Sequence, residues 1–366
     1  MVSSRGVCVL ANGVSSCAAI DGDVSGLVAP EGTASLAGCR EGACVCTAAG
    51  EVVCAQASTG RCALPVMPWT PVNVRVPGQC VSVGCGAQNC MLTPSGAVWC
   101  WPRISSTATP SEVLTPPAPS LEVEGETSSG CVPEGIVENI GVRDARAIAV
   151  GDRHACAIVG EARDLYCWGG NARGECSDGP GVDGVVRVGM SGVDLVAVGG
   201  AGTCATVRGE PWCWGALAGL PTPSELAACV AASPARIPPR SDPIPLADPA
   251  CRHGTPRRID GVPALRQLAV GATRACGLTE GGELWCWGVE HGGARLFPRE
   301  PLRVAEHIVG FGVAEDDGCA LDADAQLWCW GSASTWTRDA QDIVSEPPGR
   351  LVGRIANGSV ELFRAR

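Results

Sequence analysis

Hydrophobic and polar positions along the chain fall into one short motif that keeps returning. In residues 275–287, ACGLTEGGELWCW, two β-compatible arms enclose a polar turn with Gly281 and Gly282, and each arm carries a cysteine, Cys276 and Cys286. Close copies hold Cys319 with Cys329 and Cys90 with Cys100, while Cys156 with Cys167 and Cys204 with Cys213 differ by one residue in the turn. Two degenerate copies, Cys44 with Cys54 and Cys8 with Cys17, bring the number to seven. Each copy reads as a β-hairpin whose two cysteines lie opposite one another. Facing positions on antiparallel strands are roughly 4.5 to 5.5 Å apart, a distance a disulfide spans. The pattern therefore predicts seven bridges within hairpins, each worth about 2–3 kcal/mol to a strand pair that is marginal alone.

Side chains alternate across a strand, so in the Trp-Cys-Trp triplet Trp285 and Trp287 face one way and Cys286 the other. Trp99 and Trp101, Trp212 and Trp214, and Trp328 and Trp330 repeat this, with Tyr166 and Trp168 as a variant. Sheets apolar on both faces must be stacked between other sheets, which a ring of blades does for every copy. Eight residues before the first cysteine of most copies stands an apolar-small-apolar-Gly strand, as in 148–151, 196–199 and 268–271, suited to the crowded inner position of a blade. The first hairpin has no such strand before it, and residues 355–358 (Ile-Ala-Asn-Gly) have no hairpin after them. The expectation is all-β: a seven-bladed β-propeller closed by the C-terminal strand pairing into the N-terminal blade, with 1–366 as one domain.

Composition agrees. With 49 Gly and 28 Pro in 366 residues, long helices have little room. At 46% hydrophobic and 18% charged, and without an apolar run near 18 residues, the chain reads as globular rather than disordered or membrane-spanning. All 27 basic residues are Arg, and the net charge of -11 disfavours nucleic acid as a partner. Twenty-three cysteines point to an oxidising, extracytoplasmic or secreted setting, and an odd number leaves at least one thiol free or paired with another molecule. Asn12, Gly13, Ser15 and Ser16 interrupt the stretch from Val7 to Ile20, so no secretory signal is visible there. Export by another route, or a signal already removed, is expected, with a cytoplasmic location as the alternative.

The pattern resembles the regulator of chromosome condensation repeat family. Residues 147–175, AIAVGDRHACAIVGEARDLYCWGGNARGE, are similar to its consensus at Gly151, His154, Trp168, Gly169, Asn171 and Gly174. The resemblance implies a seven-bladed propeller, and the cysteine pairs depart from the nuclear members toward an exported bacterial branch. It also implies two possible activities, partner binding through one face of the propeller and nucleotide exchange on a small GTPase.

Spacings of 67 and 73 residues between the second cysteines of successive copies, against 37 to 46 elsewhere, mark insertions at about 102–140 and 216–263. The first is acidic, with Glu112, Glu122, Glu124 and Glu126, and reads either as a solvated loop or as an arm gripping a basic partner. In the second, residues 222–225 (Thr-Pro-Ser-Glu) have the form of a capping box opening a short helix, and Cys229 and Cys251 are expected to staple the remainder. Glu315, Asp316 and Asp317 form an acidic cluster expected on a rim loop. The connectivity of Cys39, Cys46, Cys62, Cys80, Cys85, Cys131 and Cys176 stays open, and the absence of paired CxxC knuckles disfavours zinc. Residues 21–26 (DGDVSG) begin like a calcium loop, but its twelfth position is Gly32, so a polar turn is the better reading.

No hydrolase, metalloprotease, P-loop or dinucleotide motif is present, and four His and one Tyr leave few general bases. His154 reads as a packed structural residue. Catalytic residues, cofactors and metals are all expected to be none. The leading expectation is a non-enzymatic, disulfide-braced scaffold presenting rim loops to a partner protein or surface glycan. The alternatives are a guanine-nucleotide exchange regulator of a small GTPase and a lyase or other enzyme using the central channel.

Overall fold

A computed structural model describes residues 2–3, 6–11, 14–19, 33–39, 42–56, 78–86, 88–102, 138–176, 184–200, 202–215, 224, 253–271, 274–292, 295–314, 317–330, 350–356 and 359–362. Its strands form seven antiparallel sheets in chain order. The first comprises β1 (Val2–Ser3), β2 (Gly6–Ala11) and β3 (Val14–Ala19). The second comprises β4 (Thr33–Cys39), β5 (Gly42–Thr47) and β6 (Val52–Gln56). The third has β7 (Ser82–Gly84), β8 (Gln88–Leu92), β9 (Val98–Pro102) and β10 (Glu138–Asn139). The fourth has β11 (Ala145–Val150), β12 (His154–Val159), β13 (Asp164–Gly169) and β14 (Val185–Arg187). The fifth has β15 (Val193–Val198), β16 (Gly202–Val207), β17 (Glu210–Gly215) and β18 (Arg257–Arg258). The sixth has β19 (Leu265–Val270), β20 (Arg274–Thr279), β21 (Leu284–Gly292) and β22 (Arg295–Ala305). The seventh has β23 (Ile308–Ala314), β24 (Asp317–Asp322), β25 (Gln326–Trp330), β26 (Arg350–Ala356) and β27 (Ser359–Leu362).

The second to seventh sheets stack face to face as blades of a β-propeller, and side-chain alternation dictates how. The cysteine face of one blade packs on the tryptophan face of the next: Cys44 and Cys54 near Trp101, Cys90 and Cys100 near Trp168, Cys156 and Cys167 near Trp214. Cys204 and Cys213 near Trp287, and Cys276 and Cys286 near Trp330, continue the series. Both faces of each triplet are thus out of water, but unequally. The second aromatic of each pair is buried, while Trp99, Tyr166, Trp212, Trp285 and Trp328 are half-buried. Small residues across the ladder make room for the buried indole: Ala155 opposite Trp168, Ala275 opposite Trp287, Gly318 opposite Trp330. A Cβ on Gly318 would lie 2.4 Å from Cζ2 of Trp330.

Glycines end the inner strands because backbones converge there. A Cβ on Gly86 would stand 2.1 Å from the carbonyl oxygen of Gly151, and one on Gly199 would stand 2.2 Å from that of Gly271. Local chemistry shapes the opposite ends. In the fifth sheet Arg208 (φ 56°) and Gly209 (φ 77°) close a two-residue turn between paired Val207 and Glu210, the mirror-image turn that matches strand twist.

Closure differs from the expectation. The inner position of the first sheet is filled by β1, with Val2 opposite Val7, and β1 lies beside β23, β24 and β4. Residues 355–356 instead end β26, which pairs with β25 as an outer strand, and β27 folds back on β26 and lies beside β3. A strand contiguous with β2 closes a short loop, whereas recruiting residues 355–358 would close one as long as the chain, and the short closure costs less entropy. The far ends of both long spacers also return as outer strands, Glu138 opposite Cys100 and Arg257 opposite Cys213.

Candidate functional site: the polar seam between the fourth and fifth sheets

Most interfaces between blades are apolar, but the seam between the fourth and fifth sheets carries buried polar groups from three segments. His154 opens β12 opposite Gly169, which closes β13. Gly169 adopts φ 95°, and a Cβ there would lie 2.9 Å from the Arg153 carbonyl, so the chain turns sharply and Gly170 N–H donates to that carbonyl at 2.7 Å. The loop then curls on itself. Asn171 Oδ1 accepts the Cys176 N–H at 2.8 Å, and Glu175 Oε2 accepts the Arg173 N–H at 2.8 Å. Gly174 (φ 80°) passes so close to the fifth sheet that a Cβ would sit 2.7 Å from the nitrogen of Gly254.

This loop delivers the Glu175 carbonyl across the seam, where it accepts the Thr203 hydroxyl and the Trp214 indole N–H, each at 2.8 Å. The Thr203 proton is thereby committed, so its oxygen accepts from His154 Nε2 at 2.6 Å, which assigns the proton to Nε2. Nδ1 is then a bare acceptor with no partner among the described residues. Burial, reinforced by the charge of Arg153, holds the imidazole down to about 3, so it is neutral at physiological pH. Arg173 reaches the next blade through Nη1 to the Gly200 carbonyl at 3.0 Å. Burial, and then Arg153, lower its pKa. Burial raises the Glu175 carboxyl against the pull of backbone N–H groups and both arginines. In other seams the equivalent indoles of Trp101, Trp168 and Trp287 find no partner among the described residues.

The sulfur pattern departs from expectation here too. Cys44–Cys54, Cys90–Cys100, Cys204–Cys213, Cys276–Cys286 and Cys319–Cys329 are bridged within their hairpins. Cys156 and Cys167 are not bonded to each other: Cys167 pairs with Cys176 in the curled loop, leaving Cys156 as a buried thiol. The loop turn at Gly169 and Gly174 brings the extra cysteine over β13, which spacing within the hairpin could not reveal. Burial pushes the Cys156 thiol up to about 12, against a hydrogen bond with Thr203, so only a trace of it is thiolate at neutral pH. Cys46 bridges Cys80, tying the second sheet to the third, and Cys85 is also disulfide-bonded. The signal for Cys46 was present: two residues beyond Cys44, it lies on the same strand face, the one turned to the third sheet.

Other predicted positions are not gathered here. Cys8 and Cys17 are opposite in the β2–β3 ladder. Asp317 starts β24 opposite Ala314. Glu112, Glu122, Glu124, Glu126, Glu315, Asp316, Cys229, Cys251 and residues 21–26 lie outside the described residues, as does the expected helix apart from Ser224. Among the described residues no group of three His, Cys, Asp or Glu could hold a metal, and no helix is long and apolar enough to cross a membrane. At the hairpin-turn end, about 20 Å along the strands from the seam, exposed charges neutralise one another. Arg187 pairs with Asp164 at 2.8 Å, Arg258 with Asp260 at 2.8 Å and Arg303 with Glu306 at 2.6 Å.

Two segments, 145–175 and 265–291, match the regulator of chromosome condensation (RCC1) repeat. No curated protein sequence matches the chain. Among solved structures it is similar to Prp20p from Saccharomyces cerevisiae, whose structure was described with its binding to Gsp1p and histones, at 13% identity and a TM-score of 0.59 over 86% of this chain and 79% of that one. Yeast RCC1 (Prp20) bound to Kap60 gives 13% identity and a TM-score of 0.59 over 88% and 74%. Human WBSCR16 gives 16% and 0.57 over 84% and 78%. The chain is an all-β propeller, two segments of which match the regulator of chromosome condensation repeat.

Proposed function

We propose that this repeat-built propeller is a non-enzymatic protein-interaction scaffold of an oxidising, extracytoplasmic compartment, and that its partner docks on the face bearing the connecting loops. The observation that carries the reading is where the two long spacers depart. Pro102 ends β9 opposite Gln88, Gly215 ends β17 opposite Gly202, and Gly169 ends β13 opposite His154. Equivalent ladder positions end β9, β17 and β13 at the same end of their sheets, so the chain leaves for both spacers and for the curled seam loop from that end. The opposite end is occupied by tight turns and self-neutralised ion pairs, which offer a partner little net charge.

Rigidity supports the same reading, since loops bind well when a stiff frame positions them. Bridges inside five blades, and the Cys46–Cys80 tie between the second and third sheets, brace that frame, and such bridges persist in an oxidising setting. The seam itself offers little for catalysis at neutral pH: the His154 imidazole is neutral with Nε2 committed to Thr203, and the Cys156 thiol is almost wholly protonated. We read 1–366 as one domain with insertions at about 102–140 and 216–263, and the N-terminal sheet, with Cys8 bonded to Cys17, as a seventh blade. Glu112, Glu122, Glu124 and Glu126 then make the first arm a grip for a basic protein surface.

The test compares the wild-type chain with one in which both spacers are replaced by short linkers, using cross-linking capture from the native compartment. Capture by the wild type, lost in a shortened chain that keeps its melting temperature, is expected. Equal capture by both, or by neither, overturns the proposal.

A further inference from the structure

Three sulfurs in the fourth blade share one fully buried cluster: Cys156, Cys167 and Cys176. Cys156 and Cys167 face each other across the β12–β13 ladder, flanked by Ala155 opposite Trp168 and Ala157 opposite Tyr166. The same ladder position is bridged in five other blades, with Cα atoms 4.0 Å apart at Cys44–Cys54 and 4.1 Å apart at Cys90–Cys100, Cys204–Cys213, Cys276–Cys286 and Cys319–Cys329. The fold therefore accepts a bridge at that position, yet here Cys167 is bonded to Cys176, Cα to Cα 5.5 Å, with the unbonded Cys156 thiol directly opposite it. One central sulfur has two partners placed to receive it.

We propose that the fourth blade contains an internal disulfide-exchange switch, alternating between a loop-stapling Cys167–Cys176 bridge and a hairpin Cys156–Cys167 bridge. The Cys156 thiolate attacks Sγ of Cys167, the Cys167–Cys176 bond breaks, and Cys176 leaves with the electron pair and takes up the proton that Cys156 lost. One thiol and one disulfide exist before and after, so no oxidant or reductant is consumed. Burial keeps Cys156 protonated at neutral pH, which makes the exchange slow and each form long-lived.

The consequence lies in the seam loop. In the stapled form, residues 170–176 are bonded to β13 and hold the Glu175 carbonyl against Thr203 and Trp214 of the fifth sheet. In the hairpin form the loop keeps its hydrogen bonds without a covalent tether, and the Arg173 contact to Gly200 is released with it more often. The switch thereby sets the stiffness of one rim loop on the connecting-loop face while the blade keeps a bridge in either state. It does not depend on that face being the docking surface.

The experiment maps bridges in the wild-type chain, purified without reductant, equilibrated with a trace of glutathione, acid-quenched, and labelled in denaturant with N-ethylmaleimide before peptide mass spectrometry. Label divided between Cys156 and Cys176, with both Cys167–Cys176 and Cys156–Cys167 peptides present, is the expected result. Label confined to Cys156, with Cys167–Cys176 alone, overturns the switch, as does label confined to Cys176. Cys176→Ser is expected to form the Cys156–Cys167 bridge and to raise amide exchange of residues 171–175 at least ~10-fold over Cys156→Ser, from loss of a short closed loop. If Cys176→Ser does not fold, the wild-type map decides alone.

Discussion

Replacing His154 by Gln tests the seam through acid stability. The imidazole is neutral in the folded protein down to about pH 3, whereas in the unfolded chain it takes a proton near pH 6.5. Between those values the unfolded state binds more protons, so stability is fully present above about pH 6.5 and falls as the pH drops toward 3. At pH 4 the gap spans about 2.5 pH units at about 1.4 kcal/mol each, so this one residue accounts for about 3 kcal/mol of lost stability relative to pH 7. Gln keeps a donor for Thr203 Oγ1 and does not titrate. Glu175 acts in the opposite sense: its raised carboxyl pKa favours the folded state as pH falls, and it is the same in both proteins. Urea unfolding of the oxidised wild type and His154→Gln at pH 7 and pH 4 isolates the histidine as a difference of differences. The variant is expected to lose about 3 kcal/mol less than the wild type on acidification. Equal losses would refute a buried, neutral His154 donating to Thr203.

Gly199→Ala places a Cβ 2.2 Å from the Gly271 carbonyl oxygen, and is expected to cost about 1–3 kcal/mol in urea unfolding with little change in secondary structure by circular dichroism. The double variant Cys46→Ser, Cys80→Ser opens a bridge with a sequence separation of 34, and the chain-entropy model predicts a loss of about 3–4 kcal/mol, read from the same melts. Trp214→Phe removes the indole donor to Glu175 while keeping an aromatic ring, and should cost about 1–2 kcal/mol; Trp168→Phe, whose indole has no partner among the described residues, should cost less. Arg258→Ala breaks only exposed ion pairs, and its urea-unfolding midpoint is expected to match that of the wild type.

Much of the blade was legible from residue order because its causes are local. Period-two alternation in Trp-Cys-Trp implied two buried faces, the turn residues placed the hairpins, and facing cysteines bridge in five of them. Resemblance at Gly151, His154, Asn171 and Gly174 likewise marked the segment that builds the seam. What those residues do there was not legible. The His154–Thr203–Glu175 chain joins positions 154, 175 and 203, and its tautomer follows from where one hydroxyl proton goes.

The chain's order of residues determined the hairpins, their faces and the repeat, since each depends on contacts within about a dozen residues. Tertiary structure alone decided which strand fills the inner place of the first sheet, that Cys167 meets Cys176 rather than Cys156, and that Cys46 crosses to Cys80. Those outcomes depend on competition between partners of similar chemistry. Loop entropy, the turn at Gly169 and the approach of neighbouring blades choose among them, and all three act through space.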